Sequence, residues 1–278
     1  MAGKLYVVGT PIGNLSDLSP RAAETLGKVD FIAAEDTRVT VKLLNHLGIN
    51  KPMLAYYEHN KMQRGGDIIS RLLAGENCAL VSDAGMPAIS DPGEDLVRMC
   101  YENGIPVESV PGPSALITAL AVSGMKSGRF CFEGFLSVNK PSRRAHLSQL
   151  KKESRTMIFY EAPHKLQSTL KDMLETFGDR KIALVRELTK LHEQVIHTSL
   201  LQAVNLYSEE NKPRGEFVLI VEGFEDSGEN TEFTLKQAVS LAKEYMKEGN
   251  SASMAAKSAS ADTGIKKGEI YKQLISEE

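Results

Sequence analysis

The sequence predicts an α/β protein with a mainly parallel sheet in its first half, and three observations carry the prediction. Short apolar runs alternate with helical stretches from residue 4 to residue 221, the rhythm of strand, crossover helix and parallel strand. Most of the runs stop in loops of glycine, proline and carboxylates, and an open α/β sheet meets its ligands at such strand ends. At 278 residues the chain is long for one core, so about two domains are expected.

The first run, Lys4–Val8, leads into Gly9-Thr10-Pro11-Ile12-Gly13-Asn14-Leu15. Ser19 then caps a helix over Arg21–Lys28, with Pro20 at the favoured first position. A second strand, Phe31–Ala34, ends in Glu35-Asp36-Thr37-Arg38. Either carboxylate there can cap the helix Val39–Leu47 or face a cleft, and the pattern leaves both readings open. Ile68–Leu73 reads as helix and Ala79–Val81 as the third strand. Its exit, from Ser82 through Gly85 and Pro87 to Asp91-Pro92-Gly93, forbids any regular continuation and is therefore a shaped loop before a helix over Gly93–Asn103. The fourth strand, Val107–Val110, gives way to Pro111-Gly112-Pro113-Ser114-Ala115 and an apolar helix through Val122, whose first turn aims unpaired N–H groups beyond the strand. Right-handed crossovers place all four loops on one sheet edge.

The second half alternates with different chemistry. Phe130–Phe135 is strand-like, Pro141–Lys151 a basic helix, and Met157–Tyr160 a strand ending in Glu161-Ala162-Pro163-His164-Lys165. The helix Lys165–Phe177 precedes the strand Ile182–Val185, which ends in a charged stretch from Arg186 to Glu193. Glu216–Val221 closes the unit as a last long strand. Polar Glu225–Glu232 reads as a linker. Beyond it, helices over Leu235–Lys247, Ser251–Ala261 and Lys266–Ile275, with a turn at Asp262-Thr263-Gly264, read as helix-turn-helix-like. The expected divisions are residues 1–122 and 123–224, both α/β, and 231–278, a small helical accessory module.

Composition narrows the function classes. A net charge of −3 argues against coating nucleic acid by bulk charge and leaves room for a local basic patch. Three cysteines, Cys78, Cys100 and Cys131, are odd in number and lack C-x-x-C spacing, so buried free thiols in a reducing compartment are expected. The amino terminus runs straight into a strand and no apolar run approaches about 18 residues, so a cytoplasmic protein without a membrane span is expected. His192-Glu193 with His197 misses the spacing of the zinc motif, and no protein-bound metal is expected. The first loop is not spaced G-x-G-x-x-G, and neither G-x-x-x-x-G-K-[ST] nor G-x-S-x-G occurs.

The loops carry a resemblance that spacing alone does not supply. Gly9-Thr10-Pro11-Ile12-Gly13-Asn14-Leu15, Ala34-Glu35-Asp36-Thr37-Arg38, Val81-Ser82-Asp83-Ala84-Gly85 through Asp91-Pro92-Gly93, and Val110-Pro111-Gly112-Pro113-Ser114-Ala115 resemble the successive motifs of the tetrapyrrole methylase superfamily. Phe159-Tyr160-Glu161-Ala162-Pro163-His164 and Arg186-Glu187-Leu188-Thr189-Lys190 are similar to its ribosomal RNA branch. Lys165 stands where many relatives carry arginine and Ser137 where many have proline, and neither touches the inferred chemistry.

The resemblance implies two α/β domains with a cofactor cleft between them, S-adenosylmethionine as cofactor, a homodimer, and 2′-O-methylation of a cytidine ribose in the RNA of the small ribosomal subunit. Carried over residue by residue, it places Thr10, Pro11 and Ile12, then Asp83, Ala84, Gly85, Met86 and Ile89, then Ser114 and Ala115 against the cofactor, joined from the second half by Tyr160, Leu188 and Glu216.

A ribose hydroxyl is a poor nucleophile, so a positioned carboxylate or histidine is useful as proton acceptor. The strand-end candidates are Glu35, Asp36, Glu161, His164, Glu187, Lys190 and His192, each of which can equally be a structural ion-pair partner. Glu187 with Lys190 is assigned to proton handling and Arg38 to phosphate contact. RNA would be gripped along residues 138–155, where Lys140, Arg143, Arg144, Lys151, Lys152 and Arg155 face only Glu153. A solvated helix face is the alternative. Two other classes stay open. A porphyrinoid C-methyltransferase would share the first motifs but have little use for the basic helix, and a ribosome-binding protein without activity would have lost its cofactor.

Overall fold

A computed structural model describes residues 2–207, 211–225, 234–247 and 249–276. Contacts divide the chain into one unit over Met1–Phe224 and another over Glu225–Glu278. The first unit holds two five-stranded sheets. Its first sheet consists of β1 (Leu5–Val8), β2 (Phe31–Ala34), β3 (Met53–Ala55), β4 (Cys78–Val81) and β5 (Val107–Val110). All four pairings are parallel, in the order β3-β2-β4-β1-β5. Side chains alternate between the faces, as the pleat requires. Phe31, Ala33, Cys78 and Leu80 pack with Ile68, Leu72, Leu96 and Cys100 of α3 (Lys61–Leu73) and α4 (Gly93–Glu102). Ile32, Ala34, Ala79 and Val81 pack on the other face with α1 (Pro20–Lys28) and α2 (Thr37–Leu47). The sequence alternation shows four strands here. The fifth, β3, is a half-buried edge strand of three residues, too short to display a period.

The second half is not a repeat of the first: the same alternation of strand and helix here accompanies mostly antiparallel pairing. Helix α5 (Ala115–Val122) leads out of the first sheet toward β6 (Phe130–Phe135), α6 (Lys140–Gln149), β7 (Thr156–Glu161), α7 (Pro163–Phe177), β8 (Lys181–Arg186), β9 (Gln194–Ser199), α8 (Leu200–Leu206) and β10 (Phe217–Val221). Their order is β6-β7-β10-β8-β9, and only β6 with β7 is parallel. The closing strand enters the middle of the sheet, and its FVLIV run is buried on both faces. One face packs on Leu147, Leu166, Leu170, Leu200 and Ala203 of α6, α7 and α8, the other on Leu116, Ala119 and Leu120 of α5. Buried on both faces, antiparallel β10 reads like a parallel strand, and β9, a partly exposed edge strand, follows a charged stretch that masks its start.

The second unit, taken by itself, holds α9 (Leu235–Lys247), α10 (Ala252–Thr263) and α11 (Lys267–Ser276). They close on Ala238, Ala242, Ala255, Ala259, Ile270 and Leu274. Gly264, at φ +72°, ends α10 in the left-handed conformation that glycine adopts without strain. Most of the expected linker Glu225–Glu232, and the start of the expected module at residue 231, lie outside the described residues.

Candidate active site

Because the first sheet is parallel, the loops after β2, β4, β1 and β5 emerge side by side on one edge. They are tied to one another. Thr10 and Gly85 exchange backbone hydrogen bonds of 3.0 and 3.2 Å, joining the loops after β1 and β4. A Cβ on Gly112 would stand 2.9 Å from the backbone of Gly9, so glycine at both positions lets the loop after β5 touch the loop after β1. The N–H of Asp36 donates to Asp83 Oδ1 (3.0 Å), and the N–H of Asp83 to Glu35 Oε2 (3.3 Å). Gly85 sits at φ +85°, a conformation closed to β-branched residues.

These loops form one wall of a cleft of about 480 Å³, and the second sheet forms the other. Of the residues expected at a cofactor, Ile12, Asp83, Ala84, Gly85, Met86, Ile89, Ser114, Ala115, Tyr160, Leu188 and Glu216 line it. Thr10 and Pro11 do not. Thr10 is buried behind the wall, its hydroxyl donating to the carbonyls of Ser82 (3.3 Å) and Gly85 (3.4 Å), so it shapes the loop from outside the cleft. The Tyr160 hydroxyl accepts the N–H of Leu116 (3.1 Å) in the first turn of α5.

The electrostatics of the two walls differ. Burial pushes the carboxyls of Glu35, Asp83 and Asp91 up from the usual carboxylate range, and repulsion from neighbouring carboxylates adds to it. Asp91 is raised even though it accepts the N–H groups of Ala88 (3.0 Å) and Gly93 (2.8 Å). The facing wall is mostly apolar, with Phe135, Tyr160, Val185, Phe217 and Val218. Phe135, Val185, Phe217 and Val218 carry no sequence signal beyond being strand residues. A bulge in β6 and the central place of β10 bring them to the cleft.

The Glu187–Lys190 pair stands at the cleft's edge. Lys190 Nζ donates to Glu187 Oε1 (3.0 Å) and to Glu216 Oε2 (2.8 Å), and Glu216 lines the cleft. Glu187 and Thr189 adopt φ +51° and +64°, strained values for residues with a Cβ and especially for a β-branched one. The N–H of Glu216 (2.9 Å) and then Lys190 hold the Glu187 carboxyl below the usual range. Gly215 makes room for that carboxylate, since a Cβ there would come within 2.6 Å of Glu187 Oε1. Burial works against the Lys190 ammonium, but its two carboxylate partners outweigh burial and raise its pKa.

Arg38 lies in the first turn of α2, outside the cleft lining, with its side chain 88% exposed. Its Nε and Nη2 donate to Asp36 (3.0 and 2.6 Å), and Asp36 also caps α2 by accepting the N–H of Arg38 (2.8 Å). The basic stretch 138–155 needs correction. Arg143 is 5% exposed and paired with Asp172 (2.7 Å), Arg144 pairs with Asp172 and Glu175, and Arg155 with Glu153 (2.7 Å). Lys140, Lys151 and Lys152 remain exposed, with no carboxylate partner among the described residues. Arg143 and Arg144 are thus scaffold, because α7 turns carboxylates toward α6 that the local sequence does not reveal, while Arg155 is taken up by the neighbouring Glu153.

Residues 4–204 match the family described as Tetrapyrrole (Corrin/Porphyrin) Methylases. The Ribosomal RNA small subunit methyltransferase I of Synechocystis sp. is 46% identical over 97% of this chain and 96% of its own length. The protein of the same name from Thermotoga maritima is 50% identical over 80% of this chain and 100% of its own. Among solved structures, uroporphyrin-III C-methyltransferase from Thermus thermophilus, complexed with S-adenyl homocysteine, superposes with a TM-score of 0.57 at 19% identity, covering 79% of this chain and 97% of that one.

Proposed function

The chain belongs to the tetrapyrrole methylase family, in the branch called ribosomal RNA small subunit methyltransferase I, and on that premise we propose that it methylates a cytidine ribose 2′-oxygen in small-subunit ribosomal RNA, using S-adenosylmethionine. The observation that carries the reading is the convergence of loops from one sheet and strand ends of the other on a single cleft of about 480 Å³, a size suited to a small-molecule ligand. The fold likeness to a porphyrinoid methyltransferase, at 19% identity, speaks for the fold alone.

The cleft fits the cofactor. At Gly85 a Cβ would stand 3.2 Å from Ile12 Cγ2 and 3.3 Å from the carbonyl of Pro113, so the missing side chain leaves a cradle between the loops. Glu35, Asp83 and Asp91 give that wall a negative potential, favourable to a ligand carrying a sulfonium and an ammonium. The residues that would hold it are Ile12, Asp83, Ala84, Gly85, Met86, Ile89, Ser114, Ala115, Tyr160, Leu188 and Glu216, with Thr10 and Pro11 shaping the loop. When bound, S-adenosylmethionine supplies a methyl group already activated by positive charge on sulfur.

The chain's own task is to hold the ribose oxygen in line, exclude water and receive one proton. We assign the proton to the Glu187–Lys190 pair. A hydroxyl becomes strongly acidic once its oxygen gains a carbon, so a carboxylate held below its usual range can still accept the proton. Lys190, between Glu187 and Glu216, fixes both carboxylates at the cleft edge. Arg38 is assigned to a phosphate: Asp36 occupies its Nε–Nη2 edge, and the exposed remainder faces solvent beside the cleft loops.

Methyl-labelled S-adenosylmethionine, incubated with the protein and either assembled small ribosomal subunits or uroporphyrinogen, tests the reading. Label recovered as 2′-O-methylcytidine is expected. Label on the porphyrinoid, or on neither substrate, overturns it. The reading includes a homodimer in the cytoplasm, and light scattering at twice the chain mass checks the dimer. Among the described residues no helix is long and apolar enough to cross a membrane.

A further inference from the structure

Strand β6 ends in an unusual way. Phe132 pairs with Ile158 and Gly134 with Phe159, so Glu133 is an extra residue, and Gly134 takes φ +64°. In an unbroken strand Phe132 and Phe135, an odd number of residues apart, would point to opposite faces. The bulge turns both toward Tyr160, with ring centroids 4.9 and 5.4 Å from it. Phe132 joins the apolar layer with α5, while Phe135 lines the cleft and stays 58% exposed.

The loop after Phe135 is braced from below. The buried Arg143 guanidinium donates to the carbonyls of Ser137 (3.2 Å) and Val138 (3.3 Å), its charge balanced by Asp172. Lys165 Nζ donates to the carbonyl of Leu136 (3.1 Å) and stands 5.7 Å from the Phe135 ring centroid. Val138, 77% exposed, extends the apolar surface outward, and Lys140 opens α6 just beyond it. The bulge, the Arg143–Asp172 pair and Lys165 thus fix the Phe135 ring at the mouth of the cleft with one face open to a planar partner.

We infer that Phe135 is the stacking surface for the base of the target nucleotide. This rests on the ribosomal RNA methyltransferase reading: a cleft walled on both sides receives a ribose from an unstacked, loop nucleotide more readily than from a helix, and an aromatic ring at its mouth takes the place of the neighbouring bases such a nucleotide lacks. Base stacking of this kind is tolerant of which base is presented, so Phe135 contributes affinity and placement, with sequence choice left to other contacts.

The chain contains no tryptophan, so Phe135→Trp introduces a single tryptophan, excitable apart from the tyrosines, at the place in question. With S-adenosylhomocysteine saturating, a short cytidine-containing single-stranded RNA should quench its emission saturably. Absence of quenching overturns the inference, and quenching by S-adenosylhomocysteine alone gives the ring to the cofactor's adenine instead. In steady state, Phe135→Ala and Phe135→Leu should each raise KM for the small subunit about tenfold, a larger change than either makes in S-adenosylhomocysteine affinity, and Phe135→Trp should restore KM. Full activity of the leucine variant would reduce the ring to an apolar wall and also overturn the inference. A wild-type protein that labels no subunit refutes the functional reading, while the quenching result still decides the stacking.

Discussion

The all-parallel sheet meets the cleft with loops, whereas the mixed sheet meets it with the ends and faces of its strands. In the first, glycine and proline shape Gly9–Gly13, Ser82–Gly93 and Pro111–Ser114, and these loops hold one another by backbone contacts, to which the Thr10 hydroxyl adds. In the second, Phe135, Tyr160, Val185 and Val218 reach the cleft because of pairing, a bulge and the packing of helices behind them. The first wall therefore fails through local backbone changes, and the second through loss of the buried framework.

The largest effect should come from that framework. Asp172→Asn leaves the Arg143 guanidinium buried without its counter-charge, a change that costs about 3–5 kcal/mol when such a pair is broken. Urea unfolding at neutral pH measures it. Burial opposes ionisation of Asp172, but hydrogen bonds from Arg143 and Arg144 outweigh burial and hold its pKa below the usual range. The stabilisation is therefore present above the ordinary aspartate range and is lost as pH falls through the lowered value. Wild type and variant should converge in stability toward acid pH. Equal stability at pH 7 would mean that the second wall does not depend on this pair.

Next in size is a change confined to the first wall. Gly85→Val forces a β-branched residue to φ +85° and pushes a side chain between Ile12 and Pro113. Calorimetry should show S-adenosylhomocysteine affinity falling on the order of 100-fold, about 2.7 kcal/mol. The far-ultraviolet circular dichroism should stay that of wild type, because Gly85 lies in a loop beyond β4. Unchanged affinity would remove this loop from the cofactor site.

The same contrast governs what could be read from the residues. Asp83, Gly85 and Ser114 are visible because glycine, proline and capping residues act within a few positions of themselves. Phe135 and Val218 are not, since what brings them to the cleft is a one-residue bulge and a strand inserted antiparallel between β7 and β8. Arg143 and Arg144 misled for a related reason: their partners Asp172 and Glu175 are about thirty positions away on α7. The strained backbone at Glu187 and Thr189 is likewise a consequence of tertiary packing, its sequence traces being the distant glycines Gly13 and Gly215 that make room for it.

A smaller effect tests which cations of the second half face outward. Changing Lys140, Lys151 and Lys152 together to glutamine should raise KM for the small subunit several-fold and flatten its dependence on salt, because each phosphate left without its lysine lowers the slope by roughly 0.7–0.9. Stability and cofactor affinity should not move, as none of the three side chains is buried. A salt dependence identical to wild type would place the RNA on other residues.

The smallest expected change to the catalytic unit comes from removing the other unit altogether. We propose that the helices of residues 231–278 act only on placing the substrate. The cut must respect where the first unit ends. Phe224 donates its N–H to the carbonyl of Glu153 (2.5 Å) and packs its ring 5.4 Å from the Arg180 guanidinium, and a Cβ on Gly223 would overlap the carbonyl of Ser154. A chain stopped at Gly223 would strip the Phe224 interactions from the first unit, so the informative truncation follows Glu225. Alanines dominate the core of the second unit, and a module of about 50 residues buries little apolar surface per residue, so it has little stability to lend. The truncated protein should keep its melting temperature within about 2 °C and its S-adenosylhomocysteine affinity unchanged, while KM for the small subunit rises. A loss of cofactor affinity would make those helices part of the catalytic machinery, and unchanged KM would leave them no role in holding the substrate.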